Sequence, residues 1–183
     1  MTADQRPETR DQSADPRALF PAPSPDAIRR ILEEVKDPEV PVLSVVELGI
    51  VRDVEVEGDA VTVVITPTYS GCPAMQVIED YIRAALAAHG VADVRIQTVY
   101  APAWTTDWMS EASREKLRAY GIAPPGHTDT SPFVPLVRRR DAVRCPFCGS
   151  TNTVHTSEFG STTCKALHVC RDCTQPFEEF KGI

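Results

Sequence analysis

The sequence lacks any apolar run that approaches the roughly 20 residues needed to cross a membrane. Residues Met1 to Phe20 are polar and carry charges of both signs, so the apolar stretch of a secretory signal peptide is missing too. From these absences we expect a cytoplasmic protein with no membrane partner. Cysteines stay reduced in that compartment, where paired Cys-x-x-Cys spacing indicates metal binding more often than a disulfide.

Two enzyme signatures are also absent. The sequence has no Glu-x-x-His pair that could build a carboxylate-bridged di-iron site on helices. It has no Gly-x-Gly-x-x-Gly turn for a dinucleotide either. These absences argue against a di-iron oxygenase and against a nucleotide-dependent reductase.

Basic residues are few as well: 19 against 26 acidic ones give a net charge of −7, which argues against a general nucleic-acid binder.

The chain does contain two Cys-x-x-Cys pairs, formed by Cys145 with Cys148 and by Cys170 with Cys173. The 21 residues between the pairs match the spacing of a four-cysteine zinc ribbon. Two such turns can place four thiolates at the corners of a tetrahedron around one ion. Gly149 follows the first pair, where the chain must turn sharply and glycine takes positive φ without strain. The spacing therefore predicts a structural metal site; zinc is favoured, and iron or an iron–sulfur cluster is the alternative.

The hydrophobic patterns predict an α+β protein, namely a small two-layer α/β sandwich in the order α-β-β-α-β followed by the zinc-ribbon β-hairpin. Gly58-Asp59 suits a two-residue turn between the first two strands. The stretch from Pro41 to Gly49 is compatible with one or two helical turns. In the hairpin, Cys164 is expected to be a strand residue rather than a fifth ligand. The predicted elements are a helix over 26–36, strands over 50–57 and 60–66, a helix over 72–90, a strand over 91–99, a helix over 110–120, and hairpin strands over 153–159 and 164–169.

Proline-rich stretches divide the chain into four parts. We expect a disordered N-terminal arm over residues 1–24, the α+β domain over 25–123, a Pro-rich linker over 124–140, and the four-cysteine ribbon over 141–183.

Cys72 is the other residue that suggests chemistry. It lies between a predicted strand and a predicted helix, directly before Pro73. If Pro73 is the first helical residue, the sulfur lies at the positive end of the helix dipole, which lowers a thiol pKa and favours the thiolate. The alternative is a small, buried apolar side chain that closes the loop.

Three sequence blocks resemble the metal–sulfur cluster assembly factor family. They are Asp37-Pro38-Glu39-Val40-Pro41, Glu47-Leu48-Gly49-Ile50-Val51, and the run from Thr66 to Cys72-Pro73. The resemblance covers roughly residues 26–98 and implies that family's fold and metal chemistry. Glu47 stands where the family usually has aspartate.

The ribbon residues resemble a more specific family. The run from Phe159 to Leu167 and the ending from Cys170 to Lys181 are similar to the D subunits of the phenylacetyl-CoA epoxidase (oxygenase) system. The resemblance implies a role in aerobic phenylacetate degradation, beside subunits that carry a di-iron oxygenase centre and a flavin/iron–sulfur reductase. It further implies that proteins of this family help to mature or load a metal centre, with those subunits and cluster-assembly proteins as partners.

The resulting hypothesis gives Cys72 the role of a transient ligand for iron or an iron–sulfur cluster. Asp37 and Glu39 would shape its loop or add oxygen ligands, and the isolated chain would have no catalytic turnover. Three alternatives remain open at this point: a nucleic-acid-binding zinc ribbon, a purely structural interaction protein, and a thiol redox enzyme that uses the Cys-x-x-Cys pairs.

Overall fold

The computed structural model describes residues 24–69, 71–126 and 142–182. The predicted arm, apart from Ser24, and most of the predicted linker lie outside these residues. The elements in chain order are α1 (Pro25–Leu32), β1 (Val51–Glu57), β2 (Ala60–Ile65), α2 (Met75–Ala88), β3 (Asp93–Thr98), α3 (Glu111–Tyr120), β4 (Ile122–Ala123), β5 (Thr153–Ser157), β6 (Lys165–Cys170) and β7 (Pro176–Phe180), with one 3₁₀ turn at Thr106–Trp108.

The first sheet has three strands in the order β1-β2-β3. β1 and β2 pair antiparallel across the Gly58-Asp59 turn, whereas β2 and β3 pair parallel because α2 crosses between them. The apolar stripes of α1 and α2 are fully buried and join the core of this sheet; they consist of Ile28, Leu32, Ile78, Ile82 and Leu86. The predicted α-β-β-α-β order and the two-layer α+β architecture are therefore confirmed.

The first helix is shorter than its apolar spacing indicates. Ser24 caps it, since its hydroxyl oxygen accepts a 3.2 Å hydrogen bond from the backbone N–H of Ala27. The helix ends at Leu32 rather than at Lys36, because the chain beyond it turns to pair with a later segment. The N–H of Val45 donates to the carbonyl of Val35 at 2.9 Å. Such long-range hydrogen bonds replace the helical ones, and the spacing of apolar residues in the sequence does not predict them.

The stretch from Pro41 to Gly49 contains no helix; it is a series of hydrogen-bonded turns. Gly49 has a φ of +76°, which favours glycine, and it lies against both tryptophans. Trp104 is 4% exposed and donates from its indole nitrogen to the carbonyl of Leu48 at 3.0 Å. The indole therefore holds this loop against the core.

The second sheet is larger than the predicted hairpin. It has four strands in the order β4-β7-β6-β5. The hairpin prediction includes neither β7 nor the two-residue strand β4, which follows α3 and pairs parallel with β7 through Ile122 and Ala123. The predicted end of the α+β domain therefore belongs to the sheet of the ribbon. Phe180 of β7 is 1% exposed and lies in the same hydrophobic core as the first helices.

The third helix agrees with its prediction. The hydroxyl of Ser110 accepts from the N–H of Ser113 at 3.1 Å, and Gly121 ends the helix in the left-handed region. None of the helices in the described residues is long and apolar enough to span a bilayer.

Candidate metal sites

The four predicted ribbon cysteines come together. The sulfur atoms of Cys145, Cys148, Cys170 and Cys173 all lie within 4.8 Å of one another. Two distances join the pairs, 3.7 Å between Cys145 and Cys173 and 3.5 Å between Cys148 and Cys170. A tetrahedron with Zn–S bonds of about 2.3 Å has sulfur–sulfur edges of about 3.8 Å. The quartet therefore fits one tetrahedral thiolate-bound ion such as zinc.

Local backbone bonds explain how each Cys-x-x-Cys loop turns under the ion. In the first loop the N–H of Gly149 donates to the carbonyl of Cys145 at 2.9 Å, and Gly149 takes a φ of +75°, as its position in the sequence predicts. In the second loop the N–H of Cys170 donates to the carbonyl of Gln175 at 3.0 Å. The side chain of Asn152 links the loops by donating to Asp172 at 2.7 Å. The positions of the four sulfur atoms thus follow from the backbone hydrogen bonds of the two loops and from the pairing of the hairpin strands that carry them.

A second group of sulfur and oxygen atoms lies where the ribbon meets the α+β domain. A small pocket of about 10 Å³ is lined by Asp37, Glu39, Cys72 and Cys164, among others. We call these four residues and the space between them the thiol–carboxylate pocket. Its volume is about that of one water-sized sphere. The structure thus brings together the three residues that the sequence selected and adds one that it did not.

Asp37 has an unusual environment for a carboxylate. It is 5% exposed, and its Oδ1 accepts hydrogen bonds from the N–H groups of Glu39 at 2.8 Å and Val40 at 2.7 Å. Burial raises the pKa of Asp37, because the two backbone bonds and the charge of Lys165 only partly offset the loss of water. The two backbone hydrogen bonds hold this carboxylate at the wall of the pocket.

Cys72 is half-buried in the loop before α2, and its own N–H donates to the carbonyl of Tyr69 at 3.1 Å. The helix begins at Met75, three residues later than the predicted start. Burial raises the pKa of the Cys72 thiol, although a hydrogen bond with the backbone of Ala74 lowers it, and the charges of Glu39 and Asp37 raise it further. The prediction that the helix dipole depresses this pKa is therefore wrong. The thiol does lie beside both predicted carboxylates.

Cys164 is not the ordinary strand residue that its sequence position indicates. β6 begins one residue later, at Lys165, so Cys164 occupies the turn before the strand. It is 5% exposed, and its sulfur lies 3.5 Å from Oε2 of Glu39 and 3.1 Å from the hydroxyl oxygen of Thr162. Burial raises the pKa of the Cys164 thiol to about 11, and the Glu39 carboxylate contributes to that rise. No spacing rule in the sequence relates residue 164 to residue 39.

Lys165 is the second residue that sequence reasoning missed. Its side chain is 5% exposed, and its ammonium group donates to the backbone carbonyl of Glu39 at 3.2 Å. The same ammonium group pairs with Glu178 at 3.1 Å. The lysine thereby fixes the Glu39 segment to the ribbon and supplies positive charge beside Asp37.

Glu47, which stands where the similar family usually has aspartate, does not line the pocket. Its carboxylate accepts from the N–H of Ser44 at 3.0 Å, while the hydroxyl of Ser44 accepts from the N–H of Glu47 at 3.1 Å. This reciprocal pair is a capping box, which glutamate is long enough to close. Lys36 lies 3.9 Å from the carboxylate, and Lys116 also pairs with it. Its role in the described residues is to shape the turn.

The fold and these two sites define a class of protein: a small α+β domain with a thiol–carboxylate pocket, covered on one side by a four-cysteine metal ribbon. Two family models match parts of the chain in agreement with this division. A family described as "Iron-sulfur cluster assembly protein" matches residues 25–98, and one described as "PaaD zinc beta ribbon domain" matches residues 129–181.

Individual relatives match either the whole chain or its first domain. A protein of Escherichia coli (strain K12), named as the putative D subunit of 1,2-phenylacetyl-CoA epoxidase, is 44% identical over 167 residues, which cover 91% of this chain and 98% of that protein. The "Fe-S protein maturation auxiliary factor YitW" of Bacillus subtilis (strain 168) is 40% identical over 88 residues, which cover 47% of this chain and 85% of that protein. A solved structure of a domain of unknown function from Bacillus anthracis covers 51% of this chain and 90% of its own, with 27% identity and a TM-score of 0.48. The extent and identity of the match to the Escherichia coli protein show that the chain belongs to the family of 1,2-phenylacetyl-CoA epoxidase D subunits.

Proposed function

We propose that this protein is an accessory subunit of a phenylacetyl-CoA epoxidase system, in which it assists the assembly or delivery of an iron or iron–sulfur centre to partner subunits. The observation that carries the proposal is the position of Cys72, a half-buried thiol in a pocket beside Asp37 and Glu39. Cys72, Asp37 and Glu39 all belong to the segment that matches an iron–sulfur cluster assembly family. Supporting it further, the relative from Bacillus subtilis is named as an iron–sulfur protein maturation factor.

The two sulfur sites suit different tasks. Four converging thiolates fill the coordination of a tetrahedral ion and leave no position open, so the ribbon retains its metal and stabilises the fold. We assign zinc to it. The pocket offers thiols and carboxylates that do not converge to the same degree, and incomplete coordination permits release. Cys72 is then the carrier ligand, and Asp37 and Glu39 orient its loop or contribute oxygen ligands.

The partners that we propose are the di-iron oxygenase and iron–sulfur reductase subunits of the same system, together with cluster-assembly proteins. The chain would act in the cytoplasm, within aerobic phenylacetate degradation, and without turnover of its own. A nucleic-acid partner is disfavoured because Asp172 adds negative charge within the second Cys-x-x-Cys loop, and the chain carries a net charge of −7.

Co-expression of the oxygenase subunits with either the wild-type chain or its Cys72→Ala variant tests the proposal. We expect the variant to lower the iron content and the epoxidation activity of the purified oxygenase by about tenfold, since it removes the carrier ligand. Glu39→Gln should produce a smaller loss in the same direction. Glu55→Gln is the matched control, because Glu55 is an exposed acid of β1 outside the pocket.

Zinc content separates loss of function from loss of fold. Each variant should retain one zinc per chain, and Cys145→Ala should lose it. Normal oxygenase iron with the Cys72→Ala chain, at full zinc content, would contradict the proposal. That result would leave a purely structural interaction protein as the second candidate, which the contacts between ribbon and α+β domain favour.

A further inference from the structure

Glu39 of the thiol–carboxylate pocket is held at its backbone N–H, at its carbonyl and at its carboxylate. The N–H donates to Asp37 at 2.8 Å, and the carbonyl accepts from the ammonium group of Lys165 at 3.2 Å. The carboxylate oxygen Oε2 lies 3.5 Å from the sulfur of Cys164. Two consecutive residues of the ribbon therefore contact this one acid, one at its backbone and the other at its side chain.

We infer that Cys164 is a positioning residue, whose thiol donates a hydrogen bond to Glu39 and thereby holds that carboxylate in the lining of the pocket that it shares with Cys72. The inference rests on the proposed function and deepens it. Cys164 acts only through Glu39, which the proposed function assigns to shaping the Cys72 loop or to contributing an oxygen ligand. The ribbon then takes part in the site as a source of hydrogen bonds.

The chemistry of the contact sets the direction of this hydrogen bond. An ionised carboxylate only accepts hydrogen bonds, so the hydrogen between Cys164 and Glu39 is on the sulfur. The sulfur is also 3.1 Å from the hydroxyl oxygen of Thr162, which can donate to it. The S–H hydrogen is then directed to Glu39, and the three groups form a chain of hydrogen bonds that ends at the carboxylate.

The turn before β6 is built so that Cys164 and Lys165 keep these positions. The ammonium group of Lys165 also pairs with Glu178 at 3.1 Å. Glu178 approaches Gly160 so closely that a Cβ at residue 160 would lie 2.6 Å from its carboxylate oxygen, so this approach requires glycine. The N–H of Gly160 donates to the carbonyl of Lys165 at 2.8 Å, which closes the turn. The closed turn presents the Cys164 sulfur to Glu39.

Three substitutions of Cys164 separate hydrogen bonding from packing, when each full-length variant is co-expressed with the oxygenase subunits. Cys164→Ser keeps a donor, Cys164→Val fills the volume without a donor, and Cys164→Ala does neither. We expect the valine and alanine variants to lower the iron content of the purified oxygenase by about threefold, which corresponds to one net hydrogen bond. The serine variant should keep the wild-type iron content. A role in packing alone predicts the opposite order, with valine tolerated and a buried serine impaired.

A double variant tests whether Cys164 acts through Glu39. Glu39→Gln combined with Cys164→Ala should lose no more oxygenase iron than Glu39→Gln alone, because the thiol has no other route to the site. Losses that multiply would overturn the inference. One zinc per chain and a cooperative unfolding transition establish that each variant is folded.

Infrared spectroscopy of the purified, zinc-loaded chain observes the hydrogen bond directly. Zinc-bound thiolates carry no hydrogen, so the S–H stretching bands come from Cys72 and Cys164, the two cysteines outside the ribbon quartet. We expect one band at lowered frequency, which Cys164→Ala removes. In Glu39→Gln the same band should move to higher frequency, since a neutral amide is a weaker acceptor than a carboxylate.

The outcomes distinguish the inference from the proposed function. If Cys72→Ala lowers the oxygenase iron while Cys164→Ala does not, or if serine and alanine at residue 164 cause equal losses, the inference is overturned and the proposed function stands. The same conclusion follows if Glu39→Gln leaves both S–H bands in place. If Cys72→Ala leaves the oxygenase iron unchanged, the proposed function is overturned and the inference with it.

Discussion

The ammonium group of Lys165 is almost out of contact with water and lies at the contact between the ribbon and the α+β domain. Its side chain is 5% exposed and its ammonium group lies between the Glu39 carbonyl and the Glu178 carboxylate. A buried ammonium group is tolerated only when its hydrogen-bonding capacity is satisfied. Glu39 from the first domain and Glu178 from the ribbon provide that satisfaction jointly. The lysine therefore connects the two sheets through polar bonds as well as through apolar packing.

At the residue scale, we predict that Lys165→Met lowers the free energy of unfolding by about 2–4 kcal/mol, because it removes the ammonium group that donates to the Glu39 carbonyl and pairs with the Glu178 carboxylate. The N–H of Ser161 still donates to Glu178 in the variant. Urea denaturation of the zinc-loaded chain measures the loss of stability. Lys116→Met is the control, since Lys116 pairs with Glu47 at an exposed site where an ion pair is worth less than about 1 kcal/mol. Equal losses for the two variants would show that Lys165 is not a buried anchor.

At the element scale, some helix boundaries are fixed by local caps and others by hydrogen bonds to residues distant in the sequence. Ser24 caps α1 and Ser110 caps α3, each through its own hydroxyl oxygen. By contrast, α1 stops early because the N–H of Val45 donates to the carbonyl of Val35. The capping box of Ser44 and Glu47 then orders the turn from which Val45 comes. A helix end can thus be fixed by a turn ten residues away.

Glu47→Gln tests the charge in that turn without removing its hydrogen bond to the N–H of Ser44. Partial burial raises the pKa of Glu47, but the bonds from Lys116 and Ser44 and the charges of Lys116 and Lys36 outweigh it, so the pKa lies below the ordinary 4.5. The charge therefore adds stability above pH 4.5, and this contribution is lost as the pH falls through the folded-state pKa. We predict that the variant is about 0.5–1 kcal/mol less stable at pH 7.

The difference between wild type and Glu47→Gln should shrink below about pH 4.5 and vanish in stronger acid, where both side chains are neutral. Urea denaturation at a series of pH values measures it. Glu55→Gln, at an exposed strand position, should show a near-zero difference throughout. A Glu47→Gln difference that stays constant from pH 7 to pH 3 would exclude an electrostatic origin.

At the scale of the whole molecule, the ribbon is built into the α+β domain. β4 follows α3 and pairs with β7 of the ribbon sheet, and Phe180 meets Trp104 edge-on at a centroid distance of 6.2 Å. The thiol–carboxylate pocket forms at this contact, with Phe180 among its lining residues. Residues of the ribbon therefore complete the lining of the pocket.

We predict that Phe180→Ala lowers the free energy of unfolding of the whole chain by about 3–5 kcal/mol, because it empties a fully buried aromatic position between the two domains. Thermal unfolding followed by circular dichroism and by tryptophan fluorescence should show one transition that shifts for both probes. Phe159→Ala is the control, since Phe159 is 60% exposed and its loss should cost less than about 1 kcal/mol. Two separate transitions in the wild type, with only one shifted in the variant, would contradict this coupling.

Local patterns were sufficient for much of the fold and for one of the two sites. Apolar spacing and turn residues predicted the α-β-β-α-β order, since each of these signals depends on only a few neighbouring residues. The Cys-x-x-Cys spacing predicted the ribbon quartet for the same reason: each loop places two thiols, and one hairpin brings the loops together. By contrast, β7 was missed because Pro-Phe-Glu-Glu-Phe has no strict alternation, and β4 because a two-residue strand has no pattern.

By itself the sequence determined the α-β-β-α-β order of the first domain, the quartet and the candidacy of Cys72, because all three depend on residue types at short separations. Only the tertiary structure decided that Cys164 and Lys165 approach Glu39, that Asp37 is buried, and that the pKa of Cys72 is raised rather than lowered. Those features depend on how closely one domain packs against the other. Distance through space and the exclusion of water are set by packing, and no short-range pattern encodes them.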